Sequence, residues 1–173
     1  KQMAAFEWFK PQDLIQDHET GQGKAFPTFA YGCIVAEVEV DMKTGYVDVL
    51  EVTASHDVGT AINPALVKGQ ISGGIVMGQG FAVTEDVVTG KRGQKTKNFD
   101  SYILPTSMDA PKMNINIYEN QDPAGTYGAK SIGEPATEGV GAAIANAIFN
   151  ATGRRVYENP ADYETVLLGH KLQ

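Results

Sequence analysis

Residues 127–135 read Tyr127-Gly128-Ala129-Lys130-Ser131-Ile132-Gly133-Glu134-Pro135, and an alanine-rich helical pattern follows at once. Gly133 lets the backbone approach a neighbour closely or take a positive φ. Pro135 is expected to push Glu134 out of the helical region into an extended or turn conformation. A single carboxylate then stands at the end of a loop, just before a helix begins. Held there and walled by apolar side chains it would be desolvated, the condition that suits a general base. The plainer reading is a glutamate that favours the positive end of a helix macrodipole and does nothing more.

On the C-terminal side, residues 138–151 carry Val140, Ile144, Ala147, Ile148 and Ala151 as an apolar stripe at helical spacing. Thr137 is the expected N-cap and Gly153 the expected C-cap. Asn159-Pro160 is expected to open a last short helix reaching Gly169, with Tyr163, Val166 and Leu167 packed.

Upstream of the loop, residues 99–105 and 113–118 read as short strands, with Pro105 and Pro111 marking turns or edges. Residues 84–97 form a polar loop of mixed charge. Before it, Asn63 at an N-cap and Pro64 at the first helical position open a helix expected to run to about Thr84. That helix contains Gly69, Gly73, Gly74, Gly78 and Gly80, each costing about 1 kcal/mol relative to alanine. A helix that accepts such a cost needs close approach, either to a packed neighbour or to a ligand. Gly69 and Gly73 share a face, as do Gly74 and Gly78. Gln70 beside them carries two donors and an acceptor; from the residues alone it is a surface glutamine.

Nearer the start, residues 29–41 alternate as a half-buried strand, Ile34, Ala36, Val38 and Val40 on one face. A turn over 41–45, with Gly45 in the left-handed position, returns the chain through a second strand over 46–55. Glu37, Glu39, Asp48 and Glu51 read as its solvated face. His56-Asp57-Val58-Gly59-Thr60 ends that strand. A histidine beside an aspartate invites a catalytic or metal reading. The competing one has Asp57 hydrogen-bonding the turn and His56 as a satisfied structural residue. His18 and His170 offer no ligand spacing, so no histidine-built metal site is expected. Residues 1–28 form an irregular lead-in, with polar turns at Gln12-Asp13 and over 17–23. Phe6, Trp8 and Phe9 fit the tail of a strand whose partners lie elsewhere. The expected class is α+β: a β-hairpin and short strands packed with a long glycine-rich helix and C-terminal helices.

The 173 residues fit one domain or part of a larger one. A formal charge of −7 argues against a nucleic-acid surface and against polybasic membrane adhesion. The sole cysteine, Cys33, excludes an internal disulfide and cysteine-built zinc or iron–sulfur sites, and is compatible with a reducing cytoplasm, the expected location. No apolar run is long enough to span a membrane as a helix. Starting at Lys1-Gln2-Met3, the chain is expected to be a fragment, a processed chain or an excised piece.

Two blocks carry a family resemblance. One is 127–135 with Ala143-Ile144-Ala145-Asn146-Ala147-Ile148. The other is His56-Asp57-Val58-Gly59, then Ile62-Asn63-Pro64, then Gly69-Gln70-Ile71-Ser72-Gly73-Gly74. In order and spacing they resemble the C-terminal segment of the molybdenum-binding subunit of the xanthine dehydrogenase and aldehyde oxidase family, over roughly residues 25–168. The resemblance implies the C-terminal half of a molybdenum-cofactor-binding domain. It implies Glu134 as general base, with Gln70, Gly69, Gly73 and Gly133 at the molybdopterin, expected in its cytosine dinucleotide form. It gives Lys130 no catalytic role and implies no protein ligand to the metal. The implied reaction hydroxylates an N-heterocycle of purine type or an aldehyde carbon, with oxygen derived from water. Iron–sulfur clusters and FAD are expected on partner chains or domains, alongside the upstream part of the molybdenum subunit. Alone, the chain is expected to hold no cofactor and to be inactive. Two other classes fit the residues: a non-catalytic binding or assembly module that kept the fold, and an α+β protein whose glycine helix binds a nucleotide. Against the last stands the absence of a Gly-x-Gly-x-x-Gly phosphate fingerprint.

Overall fold

An antiparallel hairpin sets the frame. In the computed structural model, which describes residues 3–10 and 15–170, a two-residue ladder of β1 (Ile15–Gln16) and β2 (Gly23–Lys24) comes first. The turn expected at Gln12-Asp13 lies outside the described residues. The strands β3 (Gly32–Val40) and β4 (Val47–Asp57) then pair around the turn at Asp41, with Gly45 at φ 80°. Phe6, Trp8 and Phe9 are exposed and lie in no strand.

The register of this hairpin slips between Glu37 and Val38: Glu37 faces Glu51, but Val38 faces Val49, leaving Leu50 as the extra residue of a β-bulge. The consequence runs along β4. Val47 and Val49 are buried before the bulge, Val52, Ala54 and His56 after it. The inward face therefore changes from odd to even positions, and His56 enters the core layer because of it. β4 also continues through His56 and Asp57, two residues past its expected end.

β4 is followed by α1 (Pro64–Val83), capped by Asn63, whose Oδ1 accepts from the Leu66 N–H at 3.1 Å. The expected polar loop contains a small hairpin, β5 (Thr89–Gly90) with β6 (Gly93–Gln94). Buried Thr96 pins it, accepting from Val88 N–H at 3.0 Å and donating to Asp86 O at 3.1 Å. Residues 99–105 are not the expected strand. Asn98 O accepts from Ser101 and Tyr102 N–H at 3.1 and 2.9 Å, curling the chain into a turn, and the Tyr102 hydroxyl is held by Glu85. β7 (Lys112–Tyr118) then lies parallel to β4, giving the three-stranded order β3-β4-β7.

After a 3-10 turn at Thr126–Gly128, the predicted helix over 138–151 is two: α2 (Pro135–Glu138) and α3 (Val140–Thr152). Thr137 lies inside α2 and caps nothing; the residue before α3 is Gly139, without a side-chain cap. Gly153, at φ 72°, ends α3 as expected. Val140, Ile144 and Ile148 are fully buried, while Ala151 in the last turn is exposed. The final helix, α4 (Tyr163–Leu168), starts later than Asn159-Pro160. Ala161 N–H is tied to Ala82 O at 2.7 Å, and Asp162 supplies the cap through Thr165 N–H at 2.8 Å. Its buried positions are Thr165 and Val166; Tyr163 is exposed.

Helices cover one face of the sheet. Ile71, Ile75 and Ala82 of α1 and the α3 stripe close over Val47, Val49, Val52 and Ala54, with Ile34, Ala36, Met113 and Ile115 beside them. Glu37, Glu39 and Asp48 point to solvent, and the partly exposed Glu51 pairs with Lys112 at 2.9 Å. This is the α+β layer expected from the sequence.

Candidate functional site

Helix α1 presents glycine on two faces that do different work. A Cβ at Gly74 would lie 2.7 Å from Ala136 Cβ, and one at Gly78 would lie 2.5 Å from Val140 Cβ. These two glycines let α1 press onto α2 and α3. A Cβ at Gly69 or Gly73 meets nothing within 4 Å. That second face looks into a cleft of about 560 Å³ lined by Gly69, Gln70, Gly73, Met77, Gly133 and Glu134, among others.

All five residues singled out in the sequence therefore line one cleft, although α1 and the loop before α2 lie some sixty positions apart in the chain. Gln70 is exposed there with its amide available, and Gln70 and Gly133 also line an adjoining cleft with Thr60, Asn63 and Lys130. Gly133 does not take a positive φ, and a Cβ there would meet nothing within 4 Å, so neither use foreseen for it is realised within the described residues.

Glu134 departs from expectation. Its φ and ψ are −67° and −42°, helical and not extended. The cause is local: Glu134 O accepts from Thr137 and Glu138 N–H at 2.9 and 3.3 Å, which requires helical backbone and outweighs the bias against it before proline. The carboxylate caps nothing and stands exposed at the mouth of the cleft, with Glu138 nearby. The apolar wall expected around it is not supplied by the described residues.

His56 and Asp57 separate in role. Asp57 Oδ1 accepts from Gly59 N–H at 3.0 Å, as expected of a turn residue. Its Oδ2 also meets Lys130 Nζ at 2.6 Å, a long-range pair with no local signal in sequence. Burial pushes the Asp57 carboxyl up, but the hydrogen bonds from Lys130 and Gly59 and the ammonium charge outweigh it, and the net shift is downward. His56 is not the satisfied residue expected: it is buried with neither ring nitrogen hydrogen-bonded. It lines a separate cavity of about 430 Å³ with Gly32, Ile34, Glu138 and Asn146. Burial lowers its pKa, so the folded protein holds it neutral. The unfolded chain then binds the extra proton first, and stability falls as pH drops below the ordinary histidine value of about 6.5. His56→Leu is expected to flatten the fall in unfolding midpoint between about pH 6.5 and pH 5; an unchanged slope refutes it.

Among the described residues, no group of three or more His, Cys, Asp or Glu side chains could hold a metal ion, and no helix is long and apolar enough to cross a membrane.

The fold finds counterparts among known proteins. A family model for the molybdopterin cofactor-binding domain matches residues 1–111. The aldehyde oxidoreductase of Megalodesulfovibrio gigas is 37% identical over 151 residues, covering 87% of this chain and 16% of the relative. The xanthine dehydrogenase molybdenum-binding subunit of Escherichia coli O157:H7 is 37% identical over 126 residues, 72% of this chain and 17% of the relative. Among solved structures, the aldehyde oxidoreductase from Desulfovibrio gigas superposes with a TM-score of 0.81 at 36% identity, covering 89% of this chain and 17% of that one. Quinoline 2-oxidoreductase from Pseudomonas putida 86 superposes with a TM-score of 0.70 at 31% identity, over 75% and 17%. The matched region thus corresponds to part of a molybdopterin cofactor-binding domain. The chain belongs to the xanthine dehydrogenase and aldehyde oxidase family of molybdenum oxidoreductases, as part of a molybdenum-binding subunit. It spans only about 16–17% of the length of these relatives.

Proposed function

We propose that this chain is the base-bearing, cofactor-contacting part of a molybdenum hydroxylase acting on an N-heterocycle of purine type or an aldehyde. The observation that carries the reading is the single cleft that gathers Gly69, Gln70, Gly73, Gly133 and Glu134. The residues fit the cofactor: a helix face bare of side chains at Gly69 and Gly73 lets a planar ring lie against it, and Gln70 beside it offers donors and an acceptor to a ring edge or phosphate linker. When bound, molybdopterin, proposed in its cytosine dinucleotide form, supplies the two-electron redox chemistry.

The remaining steps belong to the chain. Gly69 and Gly73 set how closely the cofactor approaches α1, and Gln70 fixes its orientation. A Glu134 carboxylate oxygen takes the proton from the water whose oxygen enters the product. The apolar surroundings this base needs would come from the rest of the molybdenum subunit, and iron–sulfur and FAD chains or domains would carry electrons away.

The test is molybdenum and pterin content, measured on this polypeptide alone and again with the rest of its subunit. Both groups are expected only in the assembled sample; neither in either sample refutes the proposal. In the assembled protein, Gln70→Ala is expected to lower pterin content severalfold, since one truncated polar contact to a ligand is worth about 1–3 kcal/mol. Unchanged content removes Gln70 from the site.

A further inference from the structure

The loop that carries Glu134 is fastened by hydrogen bonds at one point, and the fastening is charged. Ala129 bridges to Gly59, Lys130 N–H donates to Val58 O at 2.9 Å, and Thr60 N–H donates to Gly128 O at 2.8 Å. Gly59 must be glycine for this approach: at φ 63°, a Cβ there would fall 2.2 Å from Gly128 O. The Lys130 side chain then turns inward. Its Nζ meets Asp57 Oδ2 at 2.6 Å and Phe29 O at 3.0 Å, and lies 5.6 Å from the centre of the Tyr31 ring. Both charged side chains are nearly closed off, 5% and 7% exposed. Asp57 is fixed in turn, its N–H donating to Tyr31 O at 2.8 Å and its Oδ1 accepting from Gly59.

Downstream the picture changes. Among the described residues, no main-chain hydrogen bond holds Ser131, Ile132 or Gly133. The Ile132 side chain packs against the core, and the next hydrogen-bonded point is α2, which begins at Pro135. Residues 131–134 thus form a short span between the Lys130 anchor and a four-residue helix. A buried ion pair adds little stability compared with apolar residues of similar size, but it demands one geometry. That demand falls on the end of β4, immediately before the segment that leads into α1 and Gln70.

We propose that the buried Asp57–Lys130 pair positions Glu134, registering the loop 131–134 against β4 and so against the α1 wall that carries Gln70. Lys130 is a positioning residue in this reading: it acts through the loop and not on the reacting atoms. The inference rests on Glu134 being the base, and its test separates the two.

In the assembled enzyme, Asp57→Asn with Lys130→Met removes both charges, leaves no orphan carboxylate and keeps a side-chain oxygen for Gly59 N–H. Amide hydrogen exchange is measured at residue 130 and at Thr60, whose N–H groups donate to Val58 O and Gly128 O across the clamp, and across α1, with molybdenum and pterin content, unfolding midpoint and steady-state kinetics. The double variant is expected to keep its pterin and a midpoint near that of the parent. Exchange at these two amides should rise about tenfold or more while α1 is unchanged. The value of kcat should fall about tenfold or more with KM within about twofold, because misplacement of a catalytic group by an ångström costs rate on that scale. Lys130→Arg, which keeps the charge, is expected to retain slow exchange. Parental exchange at residue 130 and Thr60 in the double variant overturns the proposal, since a merely structural pair would move the midpoint and leave the clamp alone. Should that variant not fold, Lys130→Gln, which keeps a donor to Asp57 without the charge, is read by the same exchange criterion. Exchange needs no turnover, so it judges the clamp by itself. A Glu134→Gln enzyme of parental rate would sink the base assignment and leave the exchange result standing.

Discussion

Glu134→Gln is expected to leave the assembled enzyme folded and loaded, and to lower its turnover by about 10² to 10⁴, the usual contribution of a positioned general base. The structure makes this a clean substitution. What Glu134 contributes to the fold is its main-chain carbonyl, which receives the first hydrogen bonds of α2; glutamine keeps that carbonyl. The side chain is exposed and caps nothing, so an amide of the same shape disturbs no packing. A helix-dipole role predicts a different result, a loss of a few tenths to about 1 kcal/mol in stability with no special effect on rate. An assembly module without catalysis predicts no turnover to lose. Rates normalised to molybdenum content separate these outcomes. A glutamine variant at parental rate leaves Glu134 as a solvated carboxylate beside a cleft.

How much of this could be read in advance depends on whether the signal was local. The β3–β4 hairpin was legible because alternation and Gly45 in the turn act over neighbouring residues, and α1 was legible at both ends from Asn63, Pro64 and Thr84. The same local signals misled where tertiary structure chose otherwise. One extra residue at Leu50 reversed the inward face of β4 and placed His56 in the core layer, and nothing in the composition of 46–55 announces a bulge. Glu134 obeyed the hydrogen-bonding needs of α2 against the steric preference set by Pro135. The glycines of α1 fixed that something approaches closely; they did not say which face meets a helix and which stays open, because that depends on α2 and α3, more than fifty residues away. The Asp57–Lys130 pair had no sequence signal at all, since its partners lie 73 residues apart. Of the candidate site, then, the residues and their meeting at one cofactor were expected only through the resemblance; no local signal brings α1 and the loop before α2 to one cleft.

The open glycine face is where the cofactor reading is most exposed to refutation, because the fold and the site respond to neighbouring substitutions in opposite ways. Gly73→Leu adds a side chain where a Cβ meets nothing within 4 Å. It replaces a poor helix former by a good one, so α1 should gain up to about 1 kcal/mol. The new side chain occupies the cleft between Gln70 and Glu134, and molybdenum and pterin content should fall below about a tenth of the parental value, a loss of more than about 1.4 kcal/mol in binding. Gly74→Leu, one position on, puts its Cβ 2.7 Å from both the Cβ and the carbonyl oxygen of Ala136. Main chain cannot give way as a flexible side chain can, so this variant should lose about 1–3 kcal/mol of stability or more. In a domain of this size that lowers the unfolding midpoint by about 2–4 °C for each kcal/mol. Pterin lost at Gly73 with the midpoint held, and midpoint lost at Gly74, would divide the two faces of α1 between ligand and packing. Full pterin content in a folded Gly73→Leu protein would mean that the bare face meets another chain segment instead, and that the glycines of α1 serve packing on both sides.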